Sequence, residues 1–217
     1  VPLRVATPRL TPMSENQHSG FSGSEPIRLF NAAPPTTVLH FWRWALSDVT
    51  SNTARGLLAE FLVACDLGVT CSVRKEWTSF DLKSRTGIRV EVKASGYVQR
   101  WAQKRPTSPS FSITSTRLWD EDRGVYAGDI KRQADVFVFC LHAHRDRATL
   151  DPFDVRQWKF FVAPTTLLDM RLPARKRAAL TTLQSIGVEE VSFGRIDAAI
   201  SKFMDPVHVP IQIPGIP

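Results

Sequence analysis

Cysteine is scarce in this chain of 217 residues: only Cys65, Cys71 and Cys140 occur, and no two of them form a CxxC pair. So sparse and odd a set excludes a disulfide-stapled scaffold and argues against a zinc module, and it points to reduced thiols. Cys65 and Cys140 lie inside apolar runs, which predicts core positions for both. Also lacking is any apolar stretch near the ~20 residues that span a bilayer. No leader-like apolar segment is visible, and the opening on Val1 rather than Met gives the expectation of residues upstream. The expected setting is therefore cytoplasmic, without a membrane partner. No internal repeat is evident. His142 and His144 alternate at the end of an apolar run, a pattern expected at the surface rather than around a metal.

Hydrophobic residues make up 43% and charged residues 23%, the balance of an ordinary globular chain with enough apolar material for one core. The formal net charge is +7. Much of that excess is local, since residues 82–132 hold 11 Lys and Arg against 5 Asp and Glu. A concentrated basic stretch suits an anionic partner, nucleic acid first, or a solvated basic surface.

Residues 1–36 are rich in Pro, Ser, Gly and Asn and read as a flexible arm; 37–205 read as a single domain, and 206–217 as a Pro-rich tail. Residues 38–46 (VLHFWRWAL) form a short helix or an anchoring segment, with Trp42 and Trp44 packed on the domain edge. Next, Ser51-Asn52-Thr53 offers N-cap candidates, apolar residues recur at 57, 58, 61, 62 and 65, and Gly68 supplies a stop, so a helix is predicted over 54–67. Strands are expected at 69–77, 80–82, 88–94, 111–114, 134–141 and 158–163. Residues 102–110 and 119–128 read as loops, 173–186 as a basic amphipathic helix, and 196–204 as a short final helix. The class that results is mixed α/β.

Within 88–94 (IRVEVKA), alternation puts Glu91 and Lys93 on one face and Val90 and Val92 on the other. A turn near Arg85-Thr86-Gly87 makes 80–82 and 88–94 a candidate hairpin, in which Asp81 falls nearly opposite Glu91. Opposed residues of that kind have Cβ atoms about 4.5–5.5 Å apart. Two carboxylates so close repel unless a cation lies between them, and Mg²⁺ (or Mn²⁺), which takes oxygen ligands, is the expected cofactor. Glu60 stands beside the apolar stripe of the upstream helix and is expected to support the site through metal or metal-bound water. Lys93 is placed to orient an attacking water or to offset charge in the transition state.

The order Glu60, then Phe80-Asp81, then Glu91-Val92-Lys93 resembles the PD-(D/E)XK, or restriction-endonuclease-like, superfamily. With Trp77, Gln99 and Trp101 it also looks like an uncharacterised bacterial group within it. The resemblance covers about 52–163 and implies an αβββαβ core with a mixed central sheet flanked by helices. It implies Asp81 and Glu91 as metal ligands joined by the Val92 carbonyl, Lys93 as catalytic lysine, and Glu60 acting through water. The proline that usually precedes the Asp is Phe80 here. The activity expected is metal-dependent hydrolysis of phosphodiester bonds, in DNA before RNA, with a homodimer left open. Gln99, Arg100, Lys104, Arg105 and Arg117 are the candidate nucleic-acid contacts. The alternative is a catalytically idle module of the same fold that binds nucleic acid or a protein.

Overall fold

The computed structural model describes residues 20–28, 36–71, 73–76, 78–120 and 124–203. Residues 1–19 and 29–35 of the expected arm, the expected tail and Trp77 lie outside the described residues. In chain order the elements are β1 (Pro26–Ile27), β2 (Thr36–Thr37), α1 (Val38–Leu46), α2 (Asn52–Leu67), β3 (Leu82–Lys83), β4 (Arg89–Gly96), β5 (Ser110–Ser112), β6 (Thr116–Asp120), β7 (Val125–Lys131), β8 (Val136–His142), β9 (Trp158–Pro164), α3 (Thr165–Arg171), β10 (Arg177–Ala179), α4 (Leu180–Ser185), β11 (Glu190–Val191) and α5 (Ile196–Ser201). β1 falls inside the segment read as a flexible arm and pairs antiparallel with β2.

α2 forms where the sequence predicts it. Ser51 caps it by accepting from the Ala54 N–H at 3.2 Å, and the helix ends on Gly68 in the left-handed region. Its buried face is rotated from the predicted stripe, however. Ala59, Val63 and Leu67, spaced four apart, lie against the sheet, while Phe61 and Cys65 face outward. Small side chains let the helix axis approach the sheet closely, so Ala54, Ala59 and Ala64 outweigh the bulkier Leu57 and Phe61 in setting the face. Cys65 is thus exposed, and of the two predicted core thiols only Cys140 is buried.

Five strands form the central mixed sheet in the order β11-β9-β8-β4-β3. β4 runs parallel to β8 and antiparallel to β3, and β8 and β9 pair antiparallel over seven residue pairs. One face carries Val90, Val92, Val138 and Cys140 against α2 and α5. The other carries Phe137, Phe139 and Phe161 against β5, α3, β10 and α4. The mixed α/β sheet flanked by helices is as expected. The element order differs from αβββαβ in two places. Residues 69–77 form no strand among those described, so the sheet ends at the two-residue β3. The parallel step from β4 to β8, which needs a long crossover, is made by β5 and the β6–β7 hairpin rather than by a helix.

Other local differences have physical causes. Residues 119–128, read as a loop, belong largely to the β6–β7 hairpin; Leu118, Val125, Tyr126 and Ile130 are exposed, so the hairpin lacks the in–out burial that marks a strand in sequence. Residues 173–186 divide into β10 and α4, because β5 recruits Arg177–Ala179 as an antiparallel partner. Trp44 is 86% exposed rather than packed; Trp42 is half-buried beside Gly23. His142 is buried and stacked on Trp158 at 4.9 Å, not at the surface.

The crossover is anchored by Arg132. Its buried guanidinium donates to the carbonyls of Ile113 (2.8 Å), Leu172 (2.8 Å) and Arg175 (3.2 Å) and pairs with Asp169. Arg132→Ala orphans the buried Ile113 and Leu172 carbonyls and is expected to lower stability by about 3 kcal/mol, the scale of one or two charged hydrogen bonds. A denaturant midpoint that falls at unchanged slope would show it; an unmoved midpoint would remove the clamp from the account.

Candidate active site

The hairpin that carries the acids is closed by Ser84 and Gly87. Gly87 adopts φ 93°, a conformation that favours glycine, and its N–H donates to the Ser84 carbonyl at 3.0 Å. The buried Ser84 Oγ accepts from the Ile88 N–H at 3.0 Å. The turn fixes the register Leu82↔Val90 and Lys83↔Arg89, and one step further on this diagonal sets Asp81 across from Glu91. Asp81 is tied directly to β4: its Oδ2 accepts from the Val92 N–H at 2.7 Å.

On β4, Val90 and Val92 are buried toward α2, while Glu91 and Lys93 are half-buried on the opposite face, beside Phe137 and Phe139 of β8. Lys93 Nζ forms an ion pair with Glu91 Oε1. Burial works to lower the Lys93 pKa, but Glu91, through its charge and its hydrogen bond, together with Asp81 and Glu60, outweighs burial and holds the ammonium above its ordinary value. The Asp81 carboxyl is raised, first by burial and then by the Glu91 charge, against the opposing pull of Lys93, the Val92 N–H and Arg74. Asp81, Glu91 and Lys93 therefore share one electrostatic environment, as the hairpin arithmetic predicts.

Glu60 reaches the same region from α2. Arg74, from the segment predicted as a strand, holds it in a two-point ion pair that includes Nη2 to Oε1 at 3.1 Å, and also contacts Glu76 at 3.0 Å. Glu60, Arg74 and Asp81 line one cavity of about 460 Å³. Among the described residues, no three His, Cys, Asp or Glu side chains gather closely enough to hold a metal ion.

Of the predicted nucleic-acid contacts, Arg117 shares a cavity with the acids: one of about 220 Å³ that Asp81, Glu91 and Tyr126 also line. Arg100 pairs with Asp48 at 2.7 Å. Lys104 and Arg105 are exposed on the loop after β4, around a hollow that also includes Trp101. Gln99 is buried; its Oε1 accepts from Arg55 at 3.2 Å and its Nε2 donates to the Gly96 carbonyl at 2.7 Å, so its side chain braces the chain leaving β4. Sequence reasoning missed Arg55, Arg74, Tyr126 and Arg177. Arg177 lay within a basic run read as a helix, and nothing in the sequence marks Arg55 as buried.

A mixed sheet with two acids and a lysine at one hairpin is a site suited to phosphodiester chemistry. The family model for bacteriophage T4 endonuclease IV matches residues 42–171, a span that contains α2, the hairpin and the crossover. The chain belongs to that family, which makes it a nuclease-family protein with nucleic acid as its substrate class. No curated protein and no solved structure matches it. Among the described residues, no helix is long and apolar enough to cross a membrane.

Proposed function

We propose that the chain is a metal-dependent nuclease of the PD-(D/E)XK type that hydrolyses phosphodiester bonds, in DNA before RNA. The observation that carries this reading is the opposition of Asp81 and Glu91 with Lys93 paired to one of them. The donor set fits a hard divalent cation. Two half-buried carboxylates crowd each other, which a cation between them relieves, and Mg²⁺ is commonly held by only one or two carboxylates with waters completing its shell. Asp81 and Glu91 would hold Mg²⁺ or Mn²⁺, with the Val92 carbonyl as a backbone ligand. When bound, such an ion supplies an activated water and offsets charge on the phosphate.

The chain's own groups do the rest. Lys93, kept protonated by its acidic neighbours, acts as a donor: it orients the water and stabilises charge on the phosphate oxygens. Glu60, held by Arg74, supports the site from α2 rather than founding it. Arg117 receives a phosphate oxygen near the reacting group.

The test is a panel of labelled DNA and RNA substrates incubated with Mg²⁺, with Mn²⁺ and with chelator. Cleavage that requires the divalent ion is expected. Binding should weaken steeply with salt, with a log–log slope of about −0.9 per duplex phosphate contact, and Arg117→Ala should reduce that slope by about 1. Cleavage that persists in chelator would overturn the metal-dependent reading.

A further inference from the structure

Lys93 stands on the border between two environments. On one side are the carboxylates of Asp81 and Glu91. On the other lies a cavity of about 340 Å³ that Arg55, Lys93 and Arg177 line, together with seryl hydroxyls and the Asn52 carboxamide. Among the described residues, no Asp or Glu lines it. Asn52 opens α2, a helix of 16 residues, so the positive end of its dipole points the same way as the charges.

Arg55 gives this cavity its meaning. The residue is only 2% exposed. Its guanidinium donates to the carbonyls of Thr50 (2.8 Å) and Val98 (2.7 Å) and to Gln99 Oε1 (3.2 Å), all neutral acceptors, and its Nε has no hydrogen-bond partner. Burial draws its pKa down, with Asp48 as the opposing influence. Arg132, also buried, is compensated by an ion pair with Asp169. Among the described residues Arg55 has no carboxylate hydrogen-bond acceptor, and a buried cation left to neutral partners with a donor unused is unfavourable. An anion in the cavity would supply the missing charge.

We propose that this cavity is a phosphate-binding subsite that takes a phosphate group of the nucleic-acid strand adjacent to the scissile one. Arg177 reaches it from β10, where it also donates to Ser110 Oγ and the Ser110 carbonyl at 3.2 Å, and the hydroxyls of Ser95 and Ser112 add neutral donors. Charged donors with hydroxyls, lined by no carboxylate among the described residues, match a tetrahedral oxyanion, although Lys93 is also paired with Glu91 on its other side. Shared by both sites, Lys93 places a strand that fills this cavity with its neighbouring phosphate at Asp81 and Glu91. The identity of the ligand as a nucleic-acid phosphate rests on the nuclease reading; the affinity for phosphate does not.

The experiment titrates inorganic phosphate into the metal-free full chain by calorimetry, comparing wild type with Arg177→Gln. Arg177 is exposed on an edge strand, so the variant is expected to fold, which circular dichroism checks. Losing one charged donor should weaken phosphate binding about tenfold or more. In parallel, an Asp81→Asn background that does not cut is used to measure oligonucleotide affinity. One arm removes a 5′-phosphate; the other replaces single internal phosphates by neutral methylphosphonates. A loss confined to the first arm identifies a terminal phosphate, and a loss at one internal position identifies a backbone phosphate. Either loss should vanish when Arg177→Gln is added. Equal phosphate binding by both proteins overturns the subsite. So does an absence of phosphate binding combined with oligonucleotide affinities that ignore both modifications. A protein that binds phosphate through Arg177 yet cuts no nucleic acid would sink the nuclease reading and leave the anion site standing.

Discussion

Asp81→Asn is expected to abolish divalent-ion binding and cleavage while raising the melting temperature of the metal-free protein at neutral pH. The two effects share one cause. Burial, then the charge of Glu91, lifts the Asp81 carboxyl above its ordinary pKa. A folded-state pKa raised in this way gives a contribution to stability that is complete below the unfolded carboxylate value and is lost as pH climbs through the folded one. At neutral pH the ionised Asp81 therefore works against the metal-free fold. Asparagine removes that charge and keeps an oxygen able to accept from the Val92 N–H, the bond Asp81 Oδ2 makes at 2.7 Å. It also removes a charged ligand, and losing a direct ligand should reduce cleavage by more than the 10–100-fold typical of an outer partner. Calorimetry with Mn²⁺ and a melting curve without metal read the two effects separately. Asp81→Asn that bound Mn²⁺ like wild type would remove Asp81 from the metal site, and a lowered metal-free melting temperature would contradict the electrostatic account.

The acids were legible in sequence because a hairpin is arithmetic. Alternation in β4 puts Glu91 and Lys93 on one face, and Gly87 marks the turn, so the position of Asp81 follows from counting. β8 and β9 were legible for another reason: short apolar runs rich in Val and Phe suit strands, and β8 is buried on both faces. The orientation of α2 was not legible. Hydrophobic periodicity weights the large side chains at 57, 58, 61, 62 and 65, whereas the face that meets the sheet carries Ala59, Val63 and Leu67, with Cys65 turned out and Arg55 buried. The partners of Glu60 and Gln99 were hidden too, because Arg74 and Arg55 join them from elements whose placement depends on tertiary packing. The β6–β7 hairpin escaped because its exposed faces carry no burial pattern. What sequence pattern conveys is which residues share a strand face; what it does not convey is which long side chain crosses between elements to meet them.

Lys93→Ala should reduce cleavage by about 100-fold or more while leaving nucleic-acid binding within a few-fold of wild type. The magnitude follows the loss of a charged donor aimed at the reacting group, which typically costs 10²–10³ in rate. Binding is spared because affinity is spread over many phosphate contacts, and one lysine among them contributes a small share. Lys93 also pairs with Glu91, so its loss frees that carboxylate; Mn²⁺ affinity should therefore hold or rise. This separates the variant from Asp81→Asn, which loses metal and cleavage together, and from an unfolded protein, which would lose everything. Lys93→Arg tests the geometry behind the charge. A guanidinium is planar, broader and more weakly hydrated than an ammonium, and beside Glu91 it favours a two-point pair over a compact donor aimed at the phosphate, so Arg should keep binding strength without restoring the rate. A Lys93→Ala protein that cuts at the wild-type rate would remove the lysine from the chemistry and leave it as the partner of Glu91.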